Sequence, residues 1–143
     1  MSGTEMTIRP YLPSDESAVI ELWRQCDLLR PWNNPKRDIE RKLKVNPELF
    51  LVGLIDNKVI ATVIGGYEGH RGWIYYLAVD PYHRRRGLGR QIMAAVEGKI
   101  LELGCPKINI QVRAENNGVL EFYESIGYKR EERVSLAKRL VED

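Results

Sequence analysis

One stretch near the middle of the chain constrains the fold more than any other. An apolar strand, Trp73–Val79, is followed by a long amphipathic helix from Gly87 to Leu103. An alternating strand comes next, with Ile108, Ile110 and Val112 on one face. A helical connection between two neighbouring strands makes them parallel, and its crossover is right-handed. The chain is therefore predicted to be an α/β protein.

The strands that precede this unit are predicted to be antiparallel. Leu49–Ile55 and Lys58–Ile64 are apolar, β-rich runs separated only by Asp56-Asn57, a dipeptide typical of tight hairpins. A first strand is predicted over Thr7–Leu12, and it precedes a helix whose buried stripe includes Trp23.

The remaining elements complete one domain. A second helix is predicted from about Lys36 to Val45, and a short helix at Asn117–Ser125. Two closing strands are predicted near Tyr128–Arg130 and Val134–Arg139. The element order is β-α-α-β-β-β-α-β-α-β-β, which gives a single domain over residues 1–143 with a central mixed, mostly antiparallel, twisted sheet flanked by helices.

Composition excludes several classes of protein. No apolar run approaches the roughly 20 residues that span a bilayer, and residues 1–5 do not resemble a secretory signal, so a cytoplasmic protein is predicted. Cys26 and Cys105 form no CxxC pair and lie at no metal-ligand spacing to His70 or His83. We therefore expect no disulfide and no metal site.

The segment between the central strand and the long helix carries the strongest chemical signal. Arg84-Arg85-Arg86 precedes Gly87 and Gly89, at a helix start that offers unpaired N–H groups and partial positive charge. Such a turn suits a pyrophosphate, although on its own it is also typical of a basic loop that caps a helix. The Gly-Lys-Ser/Thr of a P-loop is absent, and Ile92 stands where a Rossmann fingerprint needs a small residue.

Two motifs resemble those of the GNAT acetyltransferases. Arg84-Arg85-Arg86-Gly87-Leu88-Gly89 resembles the R/Q-x-x-G-x-G/A motif, and Asn116–Tyr128 resembles the second signature, an Asn followed by Tyr-Glu-x-x-Gly-aromatic. The element order is similar to that of a whole GNAT domain. A closer resemblance, to the bacterial YpeA-type acetyltransferases, rests on segments 26–33, 65–72 and 104–108.

The resemblance implies that acetyl-CoA is the cosubstrate and that a primary amine attacks its thioester directly. The main chain of residues 77–79 is then expected to pair with the pantetheine arm, and Asn116 to contact it, although Asn116 is equally suited to capping a helix. The expected coenzyme-binding residues are Leu77, Ala78, Val79, Arg84, Arg85, Arg86, Gly87, Leu88, Gly89, Arg90, Asn116 and Tyr123.

The resemblance also assigns catalytic roles. Tyr123 occupies the position that faces the coenzyme sulfur, so it is predicted to be the general acid; the alternative is a core residue on the stripe of Val119 and Ile126. Glu68 is the predicted base, with His70 as the second candidate. Glu68 is equally typical of an exposed loop acid, and a water chain held by Tyr75 or Tyr76 is a further alternative.

The acceptor is not fixed by the sequence. Trp32, Asn33 and Tyr75 are predicted to face it. Trp32 and Asn33 belong to residues 26–43, at the position that closes over the acceptor in the superfamily that the chain resembles, although Trp32 could instead pack on the core. Small-molecule, peptide and lysine amines all remain open, as does a homodimer, and no nucleic acid or membrane partner is predicted. The alternative functions are an acyl-CoA-binding module without catalysis and an RNA-binding protein that uses Arg84–Arg86.

Overall fold

The computed structural model describes residues 5–143, so most of the segment judged not to be a secretory signal lies outside it. Five strands form one sheet: β1 (Thr7–Pro10), β2 (Phe50–Ile55), β3 (Lys58–Tyr67), β4 (Gly72–Val79) and β5 (Ile108–Asn109). Four helices accompany them: α1 (Glu16–Gln25), α2 (Pro35–Lys42), α3 (Leu88–Glu102) and α4 (Asn117–Ser125).

The sheet is mixed, as predicted. Strands β1 to β4 are antiparallel neighbours in chain order, and β5 lies parallel to β4 because α3 connects them. Every residue of β2 is buried, since helices cover both faces of the sheet. Leu51 and Ile55 pack on α3, while Phe50 and Val52 on the other face pack on Trp23 of α1. The predicted α/β class is confirmed.

The hairpin between β2 and β3 forms as the sequence predicts. Asp56 and Asn57 have φ values of 51° and 64°, so both adopt the left-handed conformation. Two consecutive positive φ values are the requirement of a type I′ turn, whose twist matches that of the strands it joins.

A β-bulge interrupts β4 at its centre. The register with β3 shifts by one residue, so that Tyr76 and Leu77 together oppose the single residue Val63. Tyr76 has φ of 52°, in a region that costs an aromatic residue on the order of 1–3 kcal/mol. Such a conformation persists only where surrounding contacts hold it.

Three contacts from three different elements hold Tyr76. Its ring stacks on Trp23 of α1 with centroids 3.8 Å apart. Its carbonyl accepts a 2.9 Å hydrogen bond from Thr62 Oγ1, which itself accepts one of 2.9 Å from Trp23 Nε1. Its hydroxyl donates to Asp38 Oδ2 of α2 at 2.7 Å. The bulge is therefore fixed by α1, α2 and β3 together.

The two closing strands are where the sequence prediction was wrong. Residues 128–143 form no strand, and the alternating strand after α3 is ordered only over β5. Val134 and Leu136 alternate as a strand face should, but they are 87% and 91% exposed. An alternating pattern stabilises a strand only when one face is covered, and no apolar layer covers this one.

The C-terminal segment instead contacts the body of the protein through polar side chains. Gln111 Nε2 donates to Ser135 Oγ at 2.6 Å, and Lys107 pairs with Glu131 at 2.5 Å.

The predicted second helix is shorter than expected, since α2 ends at Lys42 rather than Val45. Within residues 5–143, no helix is long and apolar enough to cross a membrane.

Candidate active site

The turn between β4 and α3 takes its shape from left-handed backbone. Arg85 has φ of 65°, and Gly87, the residue that caps α3, has φ of 75°. A Cβ placed on Gly87 would meet no atom within 4 Å, so this position opens onto free space. Gly87 is therefore required by the turn itself, and it leaves the start of α3 uncovered.

The start of α3 presents unpaired donors. The first helical hydrogen bond runs from Gln91 N to Gly87 O at 3.1 Å, and no side chain caps the helix. The N–H groups of Leu88, Gly89 and Arg90 consequently point outward without an intrahelical partner. Together with the positive end of the helix dipole, they form a site suited to an anion.

The predicted arginines divide into two pairs. Arg84 donates to Val79 O at 3.2 Å, and Arg90 to Ser125 O at 3.4 Å, so both guanidinium groups are hydrogen-bonded to main-chain carbonyls. Arg85 and Arg86 are exposed and form no ion pair with any residue in the range 5–143. Two guanidinium groups are thus available beside the helix start.

Gly89 serves the packing of two helices. A Cβ at this position would lie 3.2 Å from Cζ of the Phe122 ring, which is closer than ordinary contact. The absence of a side chain therefore lets α4 approach α3, and the expected contact of Gly89 with the coenzyme stays a prediction.

Strand β4 has one open edge. Its pairing with β5 is limited to Gly72 with Ile108 and Trp73 with Asn109. Beyond Trp73 the two segments separate, so residues 77–79 are bordered by β3 on one side and, among the described residues, by no strand on the other. The bulge at Tyr76 lies within this unpaired stretch.

Most of the surface of Tyr123 is buried, yet the residue lines an open groove. Its residue surface is 8% exposed, and Phe122 and Tyr128 pack edge-on against its ring. Its hydroxyl has no hydrogen-bond partner among the described residues, yet it lines a wide groove between α3, α4 and the C-terminal segment. Burial raises the pKa of Tyr123 to about 12, so it stays protonated at neutral pH.

Asn116 and Glu68 both act as local caps. Asn116 Oδ1 accepts from Val119 N at 3.4 Å, so the helix-capping alternative is realised. Glu68 Oε1 accepts from the N–H groups of His70 and Arg71, at 2.5 and 2.8 Å, in the turn between β3 and β4. These donors lower the pKa of Glu68.

The position of Glu68 weighs against its predicted role as base. It lines the same wide groove as Tyr123, but its turn precedes Gly72, four residues or about 13 Å along β4 from Tyr76. Its role stays a prediction.

A second cavity, of about 550 Å³, lies beside Tyr76 of the bulge, between α2 and β4. Asn33 and Tyr75, both predicted to face the acceptor, line it. Trp32 does not; it is 50% exposed, and the Arg113 guanidinium lies 5.6 Å from its ring centroid. Trp32 is thus half exposed, and its role toward the acceptor stays a prediction.

The sequence interpretation missed the three charged residues of this cavity. Asp38, Arg41 and Lys42 line it from α2, and their spacing of three and four residues puts them on one helix face. Lys42 Nζ donates to Gly65 O at 2.5 Å, and burial lowers the pKa of Lys42. The helical spacing was a usable signal, but three charged residues on a polar helix are usually read as a solvated face.

Comparison with known proteins identifies the family. The model of the Acetyltransferase (GNAT) family matches residues 17–128, which include the basic turn, the open edge of β4 and the whole of α4. The chain belongs to this family. It is an acetyltransferase, and the predicted use of acetyl-CoA as cosubstrate is confirmed.

Relatives and solved structures agree with this assignment. An acetyltransferase of Pectobacterium atrosepticum is 47% identical and one of Yersinia enterocolitica 48% identical, each over 96% of this chain and 98% of the relative. Ard1 from Thermoplasma volcanium is 25% identical, with a TM-score of 0.77 over 85% of this chain and 81% of that one. The aminoglycoside acetyltransferase AAC(6')-Iy, bound to a bisubstrate analogue, is 19% identical, with a TM-score of 0.78 over 96% and 99%.

The predicted GNAT fold is thereby confirmed. The finer resemblance to the YpeA-type enzymes stays a prediction, as does the extent of the domain over residues 1–143, since the family match covers only part of that range.

Proposed function

We propose that this GNAT enzyme transfers the acetyl group of acetyl-CoA to a primary amine in the cytoplasm, without a nucleic acid or membrane partner. The proposed position of acetyl-CoA rests on one observation. The open start of α3 offers three N–H groups next to Gly87, with Arg85 and Arg86 beside them. This arrangement fits the pyrophosphate of the coenzyme in shape and in charge. A side chain at Gly87 would fill the space that the phosphates need.

The open edge of β4 suits the pantetheine arm. An extended chain that carries amide groups can pair with the main chain of residues 77–79 as a further strand would. This path leads from the turn toward the bulge at Tyr76, so the thioester is proposed to lie there. An unpaired N–H of the bulge then polarises the thioester carbonyl as the amine attacks.

The acceptor amine is proposed to bind in the cavity between α2 and β4. Asp38 is the acidic group of this cavity, and it is tied to the bulge through the hydroxyl of Tyr76. A carboxylate there attracts a protonated amine. Asp38 is therefore proposed as the base, instead of Glu68. Tyr76, one of the two tyrosines considered for a water chain, positions the Asp38 carboxylate through its hydroxyl.

The proposed proton transfers balance. Asp38 takes one proton from the ammonium group and releases it to solvent, and the neutral amine then forms the C–N bond as the C–S bond breaks. The nitrogen of the new amide gives its second proton to Asp38, which releases that proton to solvent as well and returns to the carboxylate. Tyr123 gives its proton to the departing thiolate and regains one from solvent. Transfer from a pKa of about 12 to a thiol pKa near 8.5 is uphill by about 5 kcal/mol. Tyr123 is accordingly expected to act by a strong hydrogen bond to sulfur while the C–S bond breaks.

A screen of amines tests the proposed reaction. Small amines, polyamines, amino acids and peptides with free N-termini are incubated with acetyl-CoA, and release of free thiol is measured. We expect thiol release above the hydrolytic background with at least one of these classes, together with a mass increase of one acetyl group on that amine. Thiol release that no amine accelerates would contradict amine acetylation.

Two isosteric variants test the base. Asp38→Asn keeps an oxygen that can accept from Tyr76 but removes the charge, so kcat/KM is expected to fall by about 100-fold or more. Glu68→Gln keeps an acceptor for the two turn N–H groups, so kcat/KM is expected to change by less than about threefold. The reverse pattern, measured with the best amine of the screen, would return the role of base to Glu68.

A further inference from the structure

A carboxylate is bound at the rim of the acceptor cavity. The side chain of Asp143 accepts two hydrogen bonds from Arg41 of α2, at 2.7 and 3.0 Å, and lies 3.7 Å from Arg37. The two partners are 102 residues apart in sequence. The Asp143 side chain is only 9% exposed, although the residue as a whole is exposed, like the rest of residues 129–143. Arg37 and Arg41 together are called the arginine pair below.

The charges of the cavity are separated along α2. Asp38 faces the bulge through Tyr76, whereas Arg41 and Lys42 follow one turn later on the same face. Arg41 Nη1 lies 3.7 Å from Asp38 Oδ1, so its guanidinium group is shared between the cavity and the rim. One end of the cavity therefore suits a cation and the other an anion.

Basic residues in the last turn of a helix have an ordinary explanation. They interact favourably with the helix dipole and with the last carbonyl groups, whatever they face. That explanation does not require Arg41 to line a cavity, nor two arginines to converge on one carboxylate. Two parallel hydrogen bonds from one guanidinium group to one carboxylate are the geometry by which arginine recognises carboxylate groups.

We propose that the acceptor carries a carboxylate as well as its amine, and that this carboxylate binds the arginine pair in the place that Asp143 occupies in the free protein. The amine end of the proposal rests on the proposed function. The two charges of such an acceptor are separated by about one helical turn, roughly 5 Å. A short amino acid with a remote amine and a peptide N-terminus followed by an acidic residue both carry this chemistry.

Asp143 then acts as a tethered competitor. Because it belongs to the same chain, its effective concentration at the arginine pair is high, and an acceptor must displace it. Removing its charge should strengthen the binding of a carboxylate-bearing acceptor, whereas removing the charge of Arg41 should weaken it.

Binding is measured without acetyl-CoA, so that the result does not depend on turnover. The arginine Nε–Hε resonances are followed by NMR in the wild-type protein, in Asp143→Asn, and in Asp143→Asn combined with Arg41→Gln. Two pairs of probes, each differing by one carboxylate, are titrated: 4-aminobutyrate against 4-aminobutanamide, and Ala-Glu amide against Ala-Gln amide. Arg24→Gln, which removes an exposed partner of Glu21 on α1, is the matched control.

We expect the acidic member of at least one pair to shift the Arg37 and Arg41 resonances, with an affinity about tenfold higher in Asp143→Asn than in the wild type. The pair that binds more tightly identifies the small-molecule or the peptide source. The double variant should lose the response, and Arg24→Gln should keep it. Equal responses to acid and amide, no response to any probe, or no gain in Asp143→Asn would overturn the proposal. An amine screen that succeeds alongside such a result would leave the proposed function standing.

Discussion

Replacing Tyr123 with Phe is expected to lower kcat by about 100-fold or more, the scale for losing a positioned proton donor. The substitution removes only the hydroxyl, which has no hydrogen-bond partner within residues 5–143 and faces the wide groove. The ring keeps its packing on Phe122 and Tyr128, so thermal stability and acetyl-CoA affinity should change little. Steady-state kinetics with the best amine of the screen, with chemistry shown to limit the rate, make the measurement.

Tyr128→Phe is the matched control. This tyrosine packs against Tyr123 but donates its hydroxyl to Glu97 at 2.6 Å, and that bond raises its pKa together with burial. Its loss should lower stability and leave kcat nearly unchanged, the opposite of the effect at Tyr123. If Tyr123→Phe retains full kcat, the hydroxyl takes no part in the chemistry and the residue belongs to the core.

The pH dependence of the wild-type enzyme bears on the same assignment. Burial raises the pKa of Tyr123 above its ordinary value of 10, so the folded protein holds this proton more tightly than the unfolded chain does. The free energy of unfolding is therefore undiminished by this group below pH 10. It decreases as the pH rises from there through about 12, because the unfolded chain gives up the proton first. The donor therefore remains protonated across neutral and mildly alkaline pH.

Elements specified by local sequence were predictable. The turn at Asp56-Asn57 needs two residues that tolerate positive φ, and both lie in the printed sequence between two apolar runs. The crossover from β4 through α3 to β5 follows from one apolar strand, one amphipathic helix and a right-handed connection. The basic turn was recognisable because the glycine and arginines of one short segment suffice to form it.

Features that depend on contacts between distant segments were not predictable. The bulge at Tyr76 is held by Trp23, Thr62 and Asp38, which come from three other elements. No residue of β4 itself signals a left-handed tyrosine. The acidic group beside the bulge was missed because Asp38 belongs to a short helix of mostly charged residues, and only the contact with Tyr76 of a distant strand distinguishes it from the others.

The closing segment shows the opposite case, in which a local pattern predicts strands that do not form. Val134 and Leu136 have the spacing of a strand, but pairing depends on a covered face, which tertiary structure decides. Glu68 was chosen because it lies in a glycine-rich connection near the central strand. Its carboxylate is used by the N–H groups of that same connection, a local competition typical of acidic residues in turns.

Replacing Gly87 with Val is expected to weaken acetyl-CoA binding by about 100-fold or more, because the side chain fills the approach to the α3 N–H groups. Two lost hydrogen bonds to a charged group, at about 1.5 kcal/mol each, account for that factor. The fold should persist, since α3 stays anchored by buried residues such as Ile92 and Val96.

Gly104→Val is the matched control for backbone strain. Gly104 also has positive φ, 91°, and open space around a Cβ, but it follows the opposite end of α3, about 22 Å away. Both variants should lose similar stability, and only the variant at Gly87 should lose coenzyme affinity. Gly89 is unsuited to this test because a side chain there would displace Phe122.

Calorimetric titration of acetyl-CoA into the wild-type protein, Gly87→Val and Gly104→Val tests the central claim most directly. The open start of α3 as the donor site predicts binding of one acetyl-CoA per chain to the wild type, nearly the same affinity in Gly104→Val, and a loss of about 100-fold or more in Gly87→Val. Unchanged affinity in a folded Gly87→Val protein would contradict the claim, because the phosphates would then bind elsewhere.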